Sequence, residues 1–181
     1  MSLSIDFRTD LIIPPSVPVF DVVEPSWDAK SVAGLADRDA VLGKKAGIRF
    51  SYHNHAFEFQ PRDGGRTGFD VFMAEFGPDM LFELDIFWVK VGGVEPLDLL
   101  KKLSGRVSQV HLKDLKAGLT LPTFGSVPND AFQELGDGII PMEPIIVASK
   151  AAGVKHCHVE QDQSPDPIAS IRQSMEYLKR L

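Results

Sequence analysis

Side chains that could bind a metal ion or move a proton stand at the carboxyl ends of four apolar segments of the chain. They stand at His53-Asn54-His55 with Glu58, at Asp85, at His111 with Lys113-Asp114, and at Glu160-Gln161-Asp162. Carboxylates and imidazoles together suit Mn²⁺, Mg²⁺, Co²⁺ or Zn²⁺, and a carboxylate can also serve as a general base. If the fold brings these groups together, they predict a divalent metal site.

The segments that must position these residues have the length and composition of buried strands. They cover residues 11–13, 48–52, 81–87, 107–112 and 154–159. Helical spacing follows Ser26, Glu95-Pro96, Pro141 and Asp166-Pro167, and Gly47, Gly105 and Gly153 mark helix ends. Strands that alternate with helices indicate a parallel α/β sheet, either open and doubly wound or closed as a barrel.

Parallel strands also explain why the polar groups should converge. Ligands of α/β proteins bind at the carboxyl ends of the strands, which all point to one edge or into one mouth. A single polar residue at a strand end is more often a helix cap or a satisfied polar group. Four such groups on successive strands favour a functional site instead.

Composition excludes several other classes of function. The 181 residues suit one domain, and the net charge of −6 argues against a nucleic-acid partner. No apolar run is long enough to span a membrane. The single cysteine, Cys157, cannot form an internal disulfide, and we expect it in the core of a cytoplasmic protein.

A long loop and a glycine-rich turn lie between residue 116 and residue 138. The connection from residue 116 to residue 137 is long for a βα loop, which makes it a candidate lid. Gly136-Asp137-Gly138 lacks the longer glycine pattern of a phosphate-binding loop, so we expect a plain turn there.

Several segments resemble known motifs in the right order. Residues 52–59, read as YHNHAFEF, are similar to the YHNHxFEF signature of sugar phosphate isomerase/epimerase-like proteins. Residues 83–89 with Gly92-Gly93, residues 105–114, and residues 159–162 resemble later strands of the same family. The resemblance extends over residues 9–181 and implies an xylose isomerase-like (β/α)8 TIM barrel.

The resemblance also implies a metal bound by Glu, Asp, His and Glu at the strand ends. When the ligands of the family are carried over to this sequence, they are Asp85, His111 and Glu160, with Glu58 as our choice for the first ligand. His53 is the rival for that position, because it lies nearer the end of its strand.

Further roles follow from the same resemblance. Glu58 or Glu160 would act as the base, with His55 as a further catalytic candidate. His53, Trp88 and Lys113 would bind the substrate. The metal would chelate a carbonyl and a neighbouring hydroxyl, and proton transfer would pass through a metal-bound enediolate.

We therefore expect an isomerase or epimerase that acts on a small sugar or sugar phosphate. A dehydratase or lyase acting on a keto-polyol remains open, because the same residues could eliminate a β-hydroxyl. A metal-binding fragment without activity is a third reading. An endonuclease of the same superfamily is disfavoured, because it needs further metal ligands and a basic groove.

The front of the chain departs from the family. Residues 1–181 would form a single partial TIM-barrel domain with about five of the eight βα units, as in an N-terminally truncated member. Open apolar sheet edges invite pairing, so we expect a homo-oligomer.

Overall fold

The computed structural model describes residues 28–181, with the side chain of Asp63 left out. The predicted strand at residues 11–13 and the predicted cap Ser26 lie outside this part of the chain. Helices and strands alternate through the remainder, which confirms the predicted α/β class.

A parallel sheet of four strands carries the polar strand ends. Its strands are β1 (Phe50–His53), β2 (Met80–Asp85), β3 (Val107–Leu112) and β6 (His156–Val159), in the order β1-β2-β3-β6. Asp85 pairs in register with His111, and His111 pairs with His158. The carboxyl ends of neighbouring strands therefore lie side by side.

Helices precede, connect and follow these strands along the chain. They are α1 (Ala29–Lys45), α2 (Gly68–Glu75), α3 (Ile86–Val91), α4 (Pro96–Lys102), α5 (Met142–Ala151) and α6 (Pro167–Leu178). Asp28 caps α1 by accepting from the backbone N–H groups of Lys30 and Ser31, so this helix begins later than the sequence predicted. The predicted starts of α4 and α5 are confirmed.

The last helix, α6, begins where the sequence predicted it. Asp166 caps α6 through the backbone N–H of Ala169, and Pro167 occupies its first turn. Ile168 lies on the apolar stripe of this helix but is 71% exposed. Ser170 and Ser174 are buried instead, so the packed face of α6 is displaced from its apolar stripe.

The second strand is shorter than predicted. It ends at Asp85, and α3 begins at the next residue. The side chain of Asp85 accepts from the backbone N–H groups of Phe87 and Trp88, which gives the apolar segment a helical start that periodicity could not reveal. The sequence reading also missed α2, which a capping box of Thr67 and Asp70 initiates.

The core lies between the sheet and its helices and is rich in phenylalanine. Phe69, Phe72, Phe82 and Phe87 are among its fully buried side chains. The prediction that Cys157 belongs to the core is wrong, because Cys157 is exposed on β6, which pairs only with β3 within residues 28–181. In the same range, no helix is both long enough and apolar enough to cross a membrane.

The long loop after β3 has structure of its own. Its short strand β4 (Asp114–Leu115) pairs antiparallel with β5 (Phe132–Gln133). Asp114 is fully buried and accepts from the backbone N–H groups of Gly136, Gly138 and Ile140 at 3.0–3.1 Å. The Gly-Asp-Gly segment is thus a turn wrapped around a carboxylate, and the lid role of the loop stays a prediction.

Candidate metal and sugar site

Three side chains from three neighbouring strands converge at the carboxyl edge of the sheet. His53 ends β1, Asp85 ends β2 and His111 lies near the end of β3. Each offers one ligand atom, and these atoms lie within 4.8 Å of one another. Metal bonds to nitrogen and carboxylate oxygen are about 2.0–2.2 Å long, so small side-chain adjustments would let one ion reach all three.

Asp85 divides its two oxygens between the fold and the site. Oδ1 caps α3, whereas Oδ2 lies 3.5 Å from His53 Nε2 and 3.0 Å from Lys113 Nζ. Asn54 fixes the neighbouring backbone, because its Oδ1 accepts from Asp85 N–H at 3.0 Å and its Nδ2 donates to the Asp85 carbonyl at 3.3 Å. The position of the carboxylate is therefore set on both sides.

The imidazole of His111 lies between two carboxylates. Its Nε2 forms a hydrogen bond with Glu83, and its Nδ1 lies 2.8 Å from Glu160 Oε2 without the alignment of a hydrogen bond. Burial opposes the charged imidazolium, but the contacts with Glu160 and Glu83 outweigh it and raise the pKa of His111 to about 10.

Lys113 joins the carboxylates of the site. Its Nζ lies 3.0 Å from Asp85, 2.8 Å from Glu160 and 2.9 Å from Asp162, and its side chain is only 4% exposed. Burial opposes ionisation of Glu160, yet His111 and Lys113 lower its pKa to about 2. Burial likewise opposes ionisation of Asp85, but Lys113 and His53 hold its pKa well below the ordinary value.

The donor atoms meet the requirements of a divalent cation. Asp85 Oδ2 and His111 Nδ1 are buried and lack an aligned hydrogen-bond partner, as does Nδ1 of His53, whose ring presents Nε2 to Asp85. Buried polar atoms normally have such partners, and a bound ion is one accepted reason for an exception. Two imidazoles, an aspartate and the adjacent Glu160 form a mixed nitrogen and oxygen ligand set suited to Zn²⁺, Co²⁺ or Mn²⁺.

Glu58, our sequence-based choice for the first ligand, lies behind this cluster. It is fully buried and accepts from Tyr52 Oη at 2.7 Å and from the His55 backbone N–H at 3.0 Å. Burial raises its pKa to about 7, although both hydrogen bonds oppose that shift. The three-residue cluster contains His53 and not Glu58.

Aromatic side chains stand beside the cluster. The ring centroid of His55 lies 5.1 Å from that of His53 and 5.3 Å from that of Trp88. The ring centroids of Trp88 and Phe132, which belongs to β5, are 5.9 Å apart. Burial and the neighbouring His53 lower the pKa of His55 to about 4, so its imidazole is neutral at pH 7.

Three residues have structural roles at the site that were not assigned from the sequence. They are Asn54, Glu83 and Gln109, all of them buried. Gln109 Nε2 donates to Glu83 at 3.0 Å, and Gln109 Oε1 lies 2.8 Å from His158 Nε2. A signal was present, since Glu83 and Gln109 are polar residues in the interior of buried strands.

Curated relatives of the chain are inosose dehydratases. The chain is 30% identical over 176 residues to inosose dehydratase of Bacillus cereus strain AH820, a match that covers 90% of this chain and 55% of the relative. It is 28% identical over 176 residues to inosose dehydratase of Geobacillus thermodenitrificans. This match covers 90% of this chain and 56% of the relative. The chain thus spans about half the length of the curated relatives it matches, and no family model matches it.

Solved structures agree on the fold. A sugar phosphate isomerase/epimerase from Parabacteroides distasonis superposes with a TM-score of 0.66 at 25% identity, covering 84% of this chain and 54% of that one. The IOLI protein, solved with a zinc atom, superposes with a TM-score of 0.63 at 15% identity. This superposition covers 84% of this chain and 55% of the IOLI protein. The predicted resemblance and the TIM-barrel fold are confirmed.

Proposed function

We propose that this chain belongs to the xylose isomerase-like superfamily of TIM barrels and is a metal-dependent enzyme that isomerises or epimerises a small sugar or sugar phosphate. The convergence of His53, Asp85 and His111 within 4.8 Å carries this proposal. The sugar-processing names of the relatives support the substrate class.

The metal would be held by His53, Asp85, His111 and Glu160. Three of these are the predicted ligands, and His53 takes the place that we first gave to Glu58. The zinc atom of the IOLI structure supports a divalent ion. Such an ion would polarise a carbonyl and the neighbouring hydroxyl, which acidifies the C–H bond between them.

The proton would be moved by Glu160. Its side chain is about one third exposed, whereas Glu58 is fully buried with its oxygens bonded to Tyr52 and His55. Lys113 Nζ contacts Glu160 at 2.8 Å and would orient it. We assign His55 and Trp88 to the substrate wall, and Glu58 to support of the loop that carries His55.

A dehydratase is the second candidate, and the names of the curated relatives favour it. Removal of the same proton beside a carbonyl can be followed by loss of a β-hydroxyl group. The two reactions share Glu160 and the metal ligands. In the isomerisation the proton returns to the sugar, at the neighbouring carbon or on the opposite face, whereas in the dehydration the β-hydroxyl takes up a proton and leaves as water. We also propose a cytoplasmic setting, which the single cysteine supports.

The test follows the substrate C–H bond and the substrate hydroxyl together. Protein loaded with Mn²⁺, Co²⁺ or Zn²⁺ is incubated in D2O with ketoses, aldoses, their phosphates and an inosose, and the mixtures are followed by NMR. Deuterium uptake with recovery of an isomer supports the isomerase, and loss of water from the inosose supports the dehydratase. Metal binding without either change would leave only a binding fragment.

Glu160→Gln is the matched variant for this test. It keeps the shape of the side chain but removes the basic carboxylate, so deuterium exchange should fall at least about 100-fold, within the contribution of a general base. Ketose affinity, measured by calorimetry, should change far less. Equal losses of exchange and affinity would assign Glu160 to binding alone.

A further inference from the structure

Glu83 is a buried carboxylate one layer deeper in the sheet than the proposed ligands. It lies two residues before Asp85 on β2, so both side chains lie on the same face, and its side chain has no solvent exposure. The interior of a barrel normally holds bulky branched apolar residues at such positions. Burial of a charge is costly unless partners compensate it, so Glu83 needs a specific reason.

Both oxygens of Glu83 have partners on β3. Oε1 bonds with His111 Nε2, and Oε2 accepts from Gln109 Nε2 at 3.0 Å. Gln109 is held in turn by His158 on β6, whose Nε2 lies 2.8 Å from Gln109 Oε1. A chain of side-chain hydrogen bonds thus runs from the ligand cluster across three strands.

We propose that Glu83 is a positioning residue that holds His111 through Nε2 and leaves Nδ1 as the ligand atom for the metal. This inference rests on the proposed metal site. A histidine must give up one N–H hydrogen to bind a metal, and if the Nε2 hydrogen stays in the bond to the Glu83 carboxylate, the lone pair that binds the metal is on Nδ1. That atom faces Glu160 at 2.8 Å and has no aligned hydrogen bond.

Gln109 and His158 help to hold the Glu83 carboxylate in place. The amide of Gln109 bonds with Glu83 through its nitrogen and with His158 through its oxygen, which prevents the amide from turning over. The carboxylate is thereby held against His111. A partner of this kind orients a metal-binding histidine and strengthens it as a ligand, and its loss typically weakens metal affinity by about 10–100-fold.

The experiment measures Co²⁺ affinity by competition with a chelator, together with the visible absorption of the bound ion. Glu83→Gln should weaken Co²⁺ binding about 10–100-fold and change the cobalt spectrum. Asp37→Asn is the matched control, because the Asp37 carboxylate also accepts hydrogen bonds, from the Gly77 backbone N–H at 2.8–2.9 Å, but these bonds involve none of the proposed ligands. Its cobalt affinity and spectrum should remain those of the wild type.

A double-mutant cycle separates positioning from general damage. If Glu83 acts through His111, then Glu83→Gln should cause no further loss of affinity in a His111→Ala background. An equal loss in both backgrounds, or wild-type affinity of the single variant, would overturn the inference. Should Glu83→Gln fail to fold, Gln109→Met decides by the same two criteria, because it removes the donor that holds the Glu83 carboxylate.

The two proposals can fail separately. A wild-type chain that binds no cobalt would overturn the metal site and the role of Glu83 together. A wild-type chain that binds cobalt, with unchanged binding in Glu83→Gln, would overturn only the role of Glu83.

Discussion

At the scale of single residues, the site groups divide their polar atoms between the fold and the chemistry. Asp85 uses Oδ1 to cap a helix and points Oδ2 at the cluster. His111 uses Nε2 to bond with Glu83 and points Nδ1 at Glu160. The atoms given to the fold restrict rotation of each side chain, and the remaining atoms are therefore held ready for a ligand.

Asp85→Asn tests this division. The amide oxygen of asparagine can still cap α3, but the variant lacks the anionic oxygen that faces the cluster. Metal affinity should fall more than about 100-fold, beyond the effect typical of a supporting partner. Asp85→Ala should also lose the cap, with a further stability loss of about 1 kcal/mol relative to Asp85→Asn. Competition titration and thermal melting measure the two effects, and equal stability of both variants would contradict the capping role.

Glu58 provides a test that depends on pH. Its pKa in the folded protein is about 7 against an ordinary 4.5, mainly because of burial. Between these values the folded state binds more protons than the unfolded state, so the free energy of unfolding falls as the pH rises from 4.5 to 7. The contribution of this group is up to about 3 kcal/mol, since one pKa unit corresponds to about 1.4 kcal/mol.

Glu58→Gln removes the titrating group and keeps an acceptor oxygen for His55. The variant should therefore lose less stability than the wild type between pH 5 and pH 7.5. Urea unfolding at several pH values measures the difference, with the wild type as reference. Parallel pH profiles for the two proteins would show that Glu58 does not titrate in this range.

Sequence reasoning reached some of these residues and not others, for physical reasons. Asp85, His111 and Glu160 stand at strand ends, where polar residues are conspicuous. Glu83 and Gln109 lie inside strands, and their partners become visible only when the register between β2 and β3 is known. The choice between His53 and Glu58 depends on the backbone after β1, which folds Glu58 away from the strand end.

At the scale of elements, the alternation of strands and helices and three helix ends were predictable, because each of these ends has a local signal. Gly47, Gly105 and Gly153 have φ values of +77° to +87° at the ends of helices, as the sequence predicted. The start of α3 was not predictable from apolar periodicity. Residues 81–91 are apolar almost throughout, and only the side chain of Asp85 divides them into a strand and a helix.

The turn around Asp114 provides a test at this scale. A Cβ atom at Gly138 would lie 2.2 Å from Asp114 Oδ1 and 2.5 Å from the Leu115 carbonyl oxygen. Gly138→Ala should therefore destabilise the protein by about 1–3 kcal/mol, as overpacking does. Gly125→Ala is the control, because its Cβ would meet no atom within 4 Å, and it should unfold like the wild type. Equal urea midpoints for both variants would contradict the role of the turn.

At the scale of the whole molecule, the described sheet has one partly uncovered flank. Within residues 28–181, β6 pairs only with β3 and exposes Cys157. The helices on either side of β6 also expose large apolar residues, Val147 at 63% and Ile168 at 71%. Exposed apolar side chains beside a strand edge that is unpaired within residues 28–181 favour association, because each Å² of apolar surface that becomes buried contributes about 25 cal/mol.

We therefore predict that the chain forms a homodimer or larger assembly that covers β6. Light scattering at micromolar concentration should give at least twice the mass of one chain. Cys157→Lys should shift the protein towards the monomer, because a lysine on an edge strand opposes pairing with a second strand. Leu35→Lys is the matched control, since Leu35 is 49% exposed on α1 and its replacement should leave the assembly intact. A wild-type monomer that melts cooperatively would contradict the prediction and would mean that β6 needs no second copy to be stable.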